Sequence, residues 1–214
     1  MVFRVSLSKP GRIADNPDMN TLFAGLAALL TLMCAALAGP VSAGAVSGTV
    51  SDSRGVVRGA VVYLSGTTAA PPPLLNAQVD QRDKMFSPHV SVVTRGTTVR
   101  FPNDDTLFHN VFAYFQAKKF DLGMYPRGAS KKVTFDKTGL VVILCNVHSS
   151  MSAYIMVVDT PYYAVADPSG HFHLPNVPPG TYTLHGWHES GAVLTRTVVV
   201  GAKPLALTLA LARK

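Results

Sequence analysis

Cys145-Asn146-Val147-His148-Ser149-Ser150-Met151 puts a thiol, an imidazole and a thioether on one short stretch. Such a soft, nitrogen-containing donor set suits copper better than hard cations or structural zinc. His109, upstream, can supply a second imidazole. His109, Cys145, His148 and Met151 are therefore the candidate metal ligands. They form the His2Cys trigonal set with a weak axial Met that holds a single electron-transfer copper ion. The thiol binds metal only as thiolate, so loading must release its proton.

The rest of the chain narrows the context of that set. Arg4, Lys9 and Arg12 precede an apolar stretch from Leu22 to Leu37, and Val41-Ser42-Ala43 offers small residues for cleavage. Residues 1–43 read as an export signal, with Met19 as an alternative start. The stretch is too short and too rich in Ala and Gly for a membrane span, which needs about 20 apolar residues. A lipoprotein reading through Cys34 is disfavoured by bulky Met33 before it. Cleavage after Ala43 leaves Cys145 as the only thiol, unable to form an intramolecular disulfide. The mature span holds 16 Lys/Arg against 10 Asp/Glu. In an exported protein that excess suits an acidic protein or cell surface, and no basic cluster interleaved with aromatics marks a nucleic-acid groove.

Other chemistry is weaker. His171 and His173 share one face of an expected strand, and His185 and His188 with Glu189 add donors, so a second metal site is a rival use for them. His89 falls on an expected strand as a packing residue, and Met85, Met124 and Met156 read as core fillers. A Cys145–His nucleophile lacks an oxyanion motif and an acid partner, so no enzymatic activity is expected.

Positioning these ligands requires short strands, and the mature chain is read as all-β. Apolar runs are brief and bounded by Gly, Pro, Asp and Asn, with no sustained 3.6-residue period. Expected strands are 45–50, 56–64, 89–93, 97–101, 111–115, 131–135, 140–145 and 153–158. A second series follows at 162–166, 171–174, 181–187, 192–200 and 205–211. Ser51 to Gly55 reads as a hairpin turn, Asp167 to Gly170 as a type I turn, and 116–130 as a polar excursion. Pro71-Pro72-Pro73 and Thr160-Pro161 read as junctions.

The order His109, Cys145, His148, Met151 resembles the cupredoxins, and the C-x2-H-x2-M loop is similar to the short ligand loop of amicyanin. The resemblance extends over 79–158. It takes in Ser87-Pro88-His89-Val90, Gly96-Thr97-Thr98-Val99, Asn103, His109-Asn110-Val111 and Val133-Thr134-Phe135. It implies a Greek-key β-sandwich in which Asn110 ties the two ligand loops together. Amicyanin-like loops carry prolines and an aromatic, whereas this loop has Val147 and Ser149-Ser150 and is more polar. The flanking segments resemble a transthyretin-like, carboxypeptidase regulatory-like β-sandwich, through Gly48-Thr49-Val50, Ala60 to Leu64, His171 to Leu174 and Pro178-Pro179-Gly180. The combination is similar to exported methylamine utilization proteins, which implies an association with amine oxidation.

The expected organisation is a signal at 1–43, first strands of the regulatory-like sandwich at 44–66, a cupredoxin unit at 76–158, and the remaining strands at 159–214. Residues 45–64 hold too few strands to bury a core alone, so the cupredoxin unit is expected to be inserted. The expected function is a periplasmic type 1 copper protein that carries single electrons. Its partner would be a dehydrogenase or c-type cytochrome with an acidic docking surface. No nucleic acid and no membrane span after cleavage are expected. A copper chaperone or sensor and a structural or adhesion sandwich are the alternatives.

Overall fold

The computed structural model describes residues 43–67, 70–114 and 117–213. Of the expected signal, all but Ala43 lies outside the described residues, as do Phe115 and Gln116. Among the described residues there is no helix, and short strands account for the architecture, so the all-β reading stands. The opening strands are β1 (Gly44–Asp52), β2 (Gly55–Val56) and β3 (Val61–Ser65). Next come β4 (Asp80–Arg82), β5 (Met85–Ser87), β6 (Val90–Thr94), β7 (Thr97–Pro102), β8 (His109–Ala113) and β9 (Phe120–Tyr125). They are followed by β10 (Ser130–Phe135), β11 (Gly139–Leu144) and β12 (Ser152–Val158). The chain closes with β13 (Tyr163–Val165), β14 (His171–Val177), β15 (Gly180–Trp187), β16 (Ala192–Val200), β17 (Leu205–Ala210) and β18 (Ala212–Arg213).

Strands from the two ends of the described chain pair with one another. One sheet runs β14-β1-β17 with β2 on β1, and a second runs β13-β3-β15-β16-β18. In the second, Tyr63 sits opposite Tyr163 on one side and His185 on the other. Between these sheets lies a core that includes Val46, Leu64, Leu174, Leu184 and Leu209. Gly48 is required where β17 crosses β1 in parallel, because a Cβ there would lie 1.9 Å from the Leu207 carbonyl oxygen. We call this the outer sandwich.

Residues 80–158 form a separate set of sheets. A five-stranded sheet, β6-β12-β11-β8-β9, faces the β10-β7 ribbon, which segment 78–81 extends by two bridges. Phe101, Phe135, Ile143 and Ile155 fill the space between, with Cys145 and Met151 at the margin of the same cluster. A third cluster (Val61, Met156 and Val158, with Tyr63, Val92 and Trp187 against it) packs this inner sandwich on the outer one.

Several expectations need correction. The run 56–64 is not one strand, because Gly59 at φ 71° turns the chain between β2 and β3. The polar excursion 116–130 contains β9, an edge strand paired to β8 that exposes Asp121, Gly123 and Met124. Met85 and Met124 are exposed, not core fillers, and of these three only Met156 is buried. His89 lies before β6, exposed and hydrogen-bonded, where packing was expected.

Candidate metal centre

Strand alternation delivers the candidate ligands to one end of the inner sandwich. Val141 and Ile143 of β11 point into the core, and Cys145, two residues on, keeps that phase just past the strand end. On β12, Val157, Ile155 and Ala153 point inward, and Met151 continues the series backwards. The ladder brings Leu144 opposite Ser152, so Cys145 and Met151 close the loop, with the Cys145 N–H donating to the Met151 carbonyl at 3.2 Å. The Met151 N–H donates to the His148 carbonyl at 2.9 Å, a tight turn that lifts His148 to the partly exposed loop tip.

His109 opens β8 and shares the inward phase of Val111 and Ala113, which buries it completely. Its Nε2–H donates to Asp105 Oδ2 at 2.9 Å. That bond assigns the proton to Nε2 and turns the Nδ1 lone pair toward the loop. His109 Nδ1 lies 3.1 Å from His148 Nδ1 and 4.0 Å from the Cys145 Sγ. The donor atoms of His109, Cys145 and His148 all fall within 4.8 Å of one another. His109 Nδ1, at 3.1 Å and 4.0 Å from the other two donor atoms, is within the span of about 4.4 Å open to donors about 2.0–2.3 Å from one first-row metal. Met151 is buried in the same cluster as Cys145.

Asp105 was not singled out from the sequence, although its D-x-x-x-H spacing to His109 was visible. The Lys84 backbone N–H and the His109 ring, both donating to it, hold its carboxyl well below the usual carboxylate range. Its loop is set by Asn103, which donates to the Leu107 and Tyr125 carbonyls and accepts from the Asp105 N–H. Burial pushes the Tyr125 hydroxyl up, so it remains protonated and donates to the Phe101 carbonyl. Asn110 Oδ1 accepts the Asn146 N–H at 2.8 Å, joining the strand that carries His109 to the loop that carries the other ligands.

A copper-containing nitrite reductase from Thermus scotoductus SA-01 is similar over 45% of this chain, at 26% identity and a TM-score of 0.39. The matched region spans only 25% of that enzyme's chain. A purple cupredoxin from Nitrosopumilus maritimus is matched over 39% of this chain and 100% of its own, at 22% identity and a TM-score of 0.36. A reduced amicyanin variant is matched over 42% and 97%, at 20% identity and a TM-score of 0.36. The family described as polysaccharide lyase family 4, domain II, matches residues 136–205. No curated protein matches the chain.

The remaining histidines are dispersed. His185 stacks on Tyr63 and bonds Ser65, and burial lowers its ring's proton affinity. His188 meets Ser190 and His171 lies near Asp167. Among the described residues, His109, Cys145 and His148 are the one cluster of three metal-binding groups, so the rival second site is not assembled. Val147, in the Cys145–Met151 loop, is exposed, as are Leu107 and Phe108 just before His109.

Proposed function

We propose that this protein is an exported, mononuclear copper carrier of single electrons, with His109, Cys145 and His148 as equatorial ligands and Met151 axial. The observation that carries the reading is the facing pair of Nδ1 atoms beside the Cys145 sulfur, in a pocket where only His148 reaches solvent. Two imidazoles and one thiolate, with a thioether nearby, fit copper's preferences better than those of the four strong ligands of structural zinc. Bound copper would supply a one-electron couple between Cu(I) and Cu(II).

The residues of this chain do the rest. Asp105 fixes the tautomer and the ring plane of His109, so Nδ1 is free to ligate. Asn110 holds the two ligand segments together, and the Cys145–Met151 hydrogen bond fixes the loop width. Packing therefore holds the donors in place, which limits rearrangement when the oxidation state changes. Partly exposed His148 offers a route to a docked partner, with Leu107, Phe108 and Val147 as apolar contacts. Under this reading the basic surface meets an acidic partner, a dehydrogenase or c-type cytochrome, in the periplasm. An association with methylamine oxidation rests on the sequence resemblance alone.

Voltammetry of the copper-loaded protein tests the carrier role. A reversible one-electron wave is expected, and Met151→Leu is expected to keep colour while raising the potential, because Cu(II) loses a donor. Ready transfer of the metal to a chelating acceptor, with no reversible wave, would instead mark a copper-delivery protein.

A further inference from the structure

His89 lies between the metal-bearing loop and the outer sandwich. Its backbone carbonyl accepts the Tyr154 N–H at 2.8 Å, which fixes it beside the start of β12. Its ring Nδ1 is 3.0 Å from the carbonyl oxygen of Ser152, the residue directly after Met151. Its Nε2 is 2.6 Å from Glu189 Oε2. Glu189 belongs to the turn joining β15 and β16, which is closed by the Gly191 N–H donating to the His188 carbonyl. The ring also stands edge-on to Tyr154, which in turn packs against Trp187 of β15. A hydrogen-bonded chain therefore runs from the Met151 end of the ligand loop, through one imidazole, to the other sandwich.

The chemistry of the two contacts is specific. A carbonyl and a carboxylate are both acceptors, so both contacts are hydrogen bonds only when both ring nitrogens carry protons. With one proton missing, either the Ser152 carbonyl loses its donor or a nitrogen lone pair faces the carboxylate. We propose that Glu189, acting through His89, is a positioning residue for Met151, so that the outer sandwich braces the weakest side of the copper site. This role rests on the copper reading above. It matters most there because an axial thioether bond to copper would be long and weak, so small displacements of Met151 would alter it more than they alter the equatorial set.

Glu189→Ala and Glu189→Gln in the full chain test the role, with visible absorption, EPR and the reduction potential of the copper-loaded protein as one readout. Amide exchange in the metal-free protein is the other. Glu189→Ala is expected to shift the potential and the absorption bands. It should also speed exchange of the Cys145 and Met151 amides by about two- to fivefold, the range an exposed ion pair supports. The Val50 amide, bonded to Gly170 within the outer sandwich, is expected to stay unchanged. Glu189→Gln is expected to restore most of the wild-type behaviour, because its amide N–H can donate to Nε2 of a ring whose Nδ1–H stays on Ser152. Arg95→Ala, which breaks a comparably exposed pair with Asp159, is expected to leave the spectrum alone. Wild-type colour and potential that persist in Glu189→Ala would overturn this role while leaving the copper reading intact. Uniform acceleration of exchange, Val50 included, would also overturn it. A wild-type protein that takes up copper without colour would overturn the copper reading and this role together.

Discussion

The two sandwiches use their interiors differently. The outer core, from Val46 to Leu211, is assembled from aliphatic side chains with Phe172 and Tyr182. The inner sandwich buries the same kind of residues over most of its length, yet toward one end it also buries Gln81, Asn103, Asp105, His109 and Asn110. Burying such groups costs free energy unless each finds a partner. Here Gln81 donates to the Pro102 carbonyl while its Oε1 goes without a partner, Asn103 donates to two carbonyls, His109 to Asp105, and Asn110 accepts from Asn146. A core needed only for stability has no reason to take on this network. Its concentration beside Cys145 sets the candidate metal end apart from the rest of the fold.

Substitutions on either side of that division sharpen it. The largest effect is expected from His109→Ala, which removes a ligand and the buried partner of the Asp105 carboxylate. Copper binding is expected to be lost and stability to fall by about 4 kcal/mol, read by metal titration and denaturant unfolding. Leu184→Ala, in the outer core, is expected to cost about 3 kcal/mol yet leave the copper spectrum unchanged. A changed spectrum in that variant would blur the division. The smallest effect is expected from Asp105→Asn, followed as stability against pH in metal-free protein. The folded Asp105 carboxyl is held below its ordinary value of about 3.9. As pH falls below about 4, the unfolded chain takes up a proton that the folded carboxylate refuses, so stability declines. Asp105→Asn is expected to flatten that acid limb, and an unchanged limb would remove Asp105 from the account.

The juxtaposition of His109, Cys145 and His148 could be read from spacing, because candidate ligands that share a loop share a sequence window. Cys145, His148 and Met151 fall on a seven-residue hairpin, and His109 sits at the start of a recognisable strand. Asp105 was missed because its role depends on a loop shaped by Asn103, whose partners Leu107 and Tyr125 are set by the fold. β9 was hidden by Gly123, Pro126 and Gly128, which read as a loop, although Gly123 at φ 64° sits within an edge strand. His89 was read as a packing residue because its neighbours are strand formers. Glu189, its partner, lies 100 residues away on the other sandwich, beyond any local pattern. Local periodicity reports which face is buried, and long-range polar contacts are outside its reach.

The central claim is that His109, Cys145 and His148 hold one copper ion through a thiolate. Titrating Cu(II) into purified metal-free protein while recording visible absorption tests it most directly. The account predicts an intense blue or green thiolate-to-copper band that saturates at one equivalent and is absent in Cys145→Ala. A colourless Cu(II) complex, or a band that survives Cys145→Ala, would contradict it.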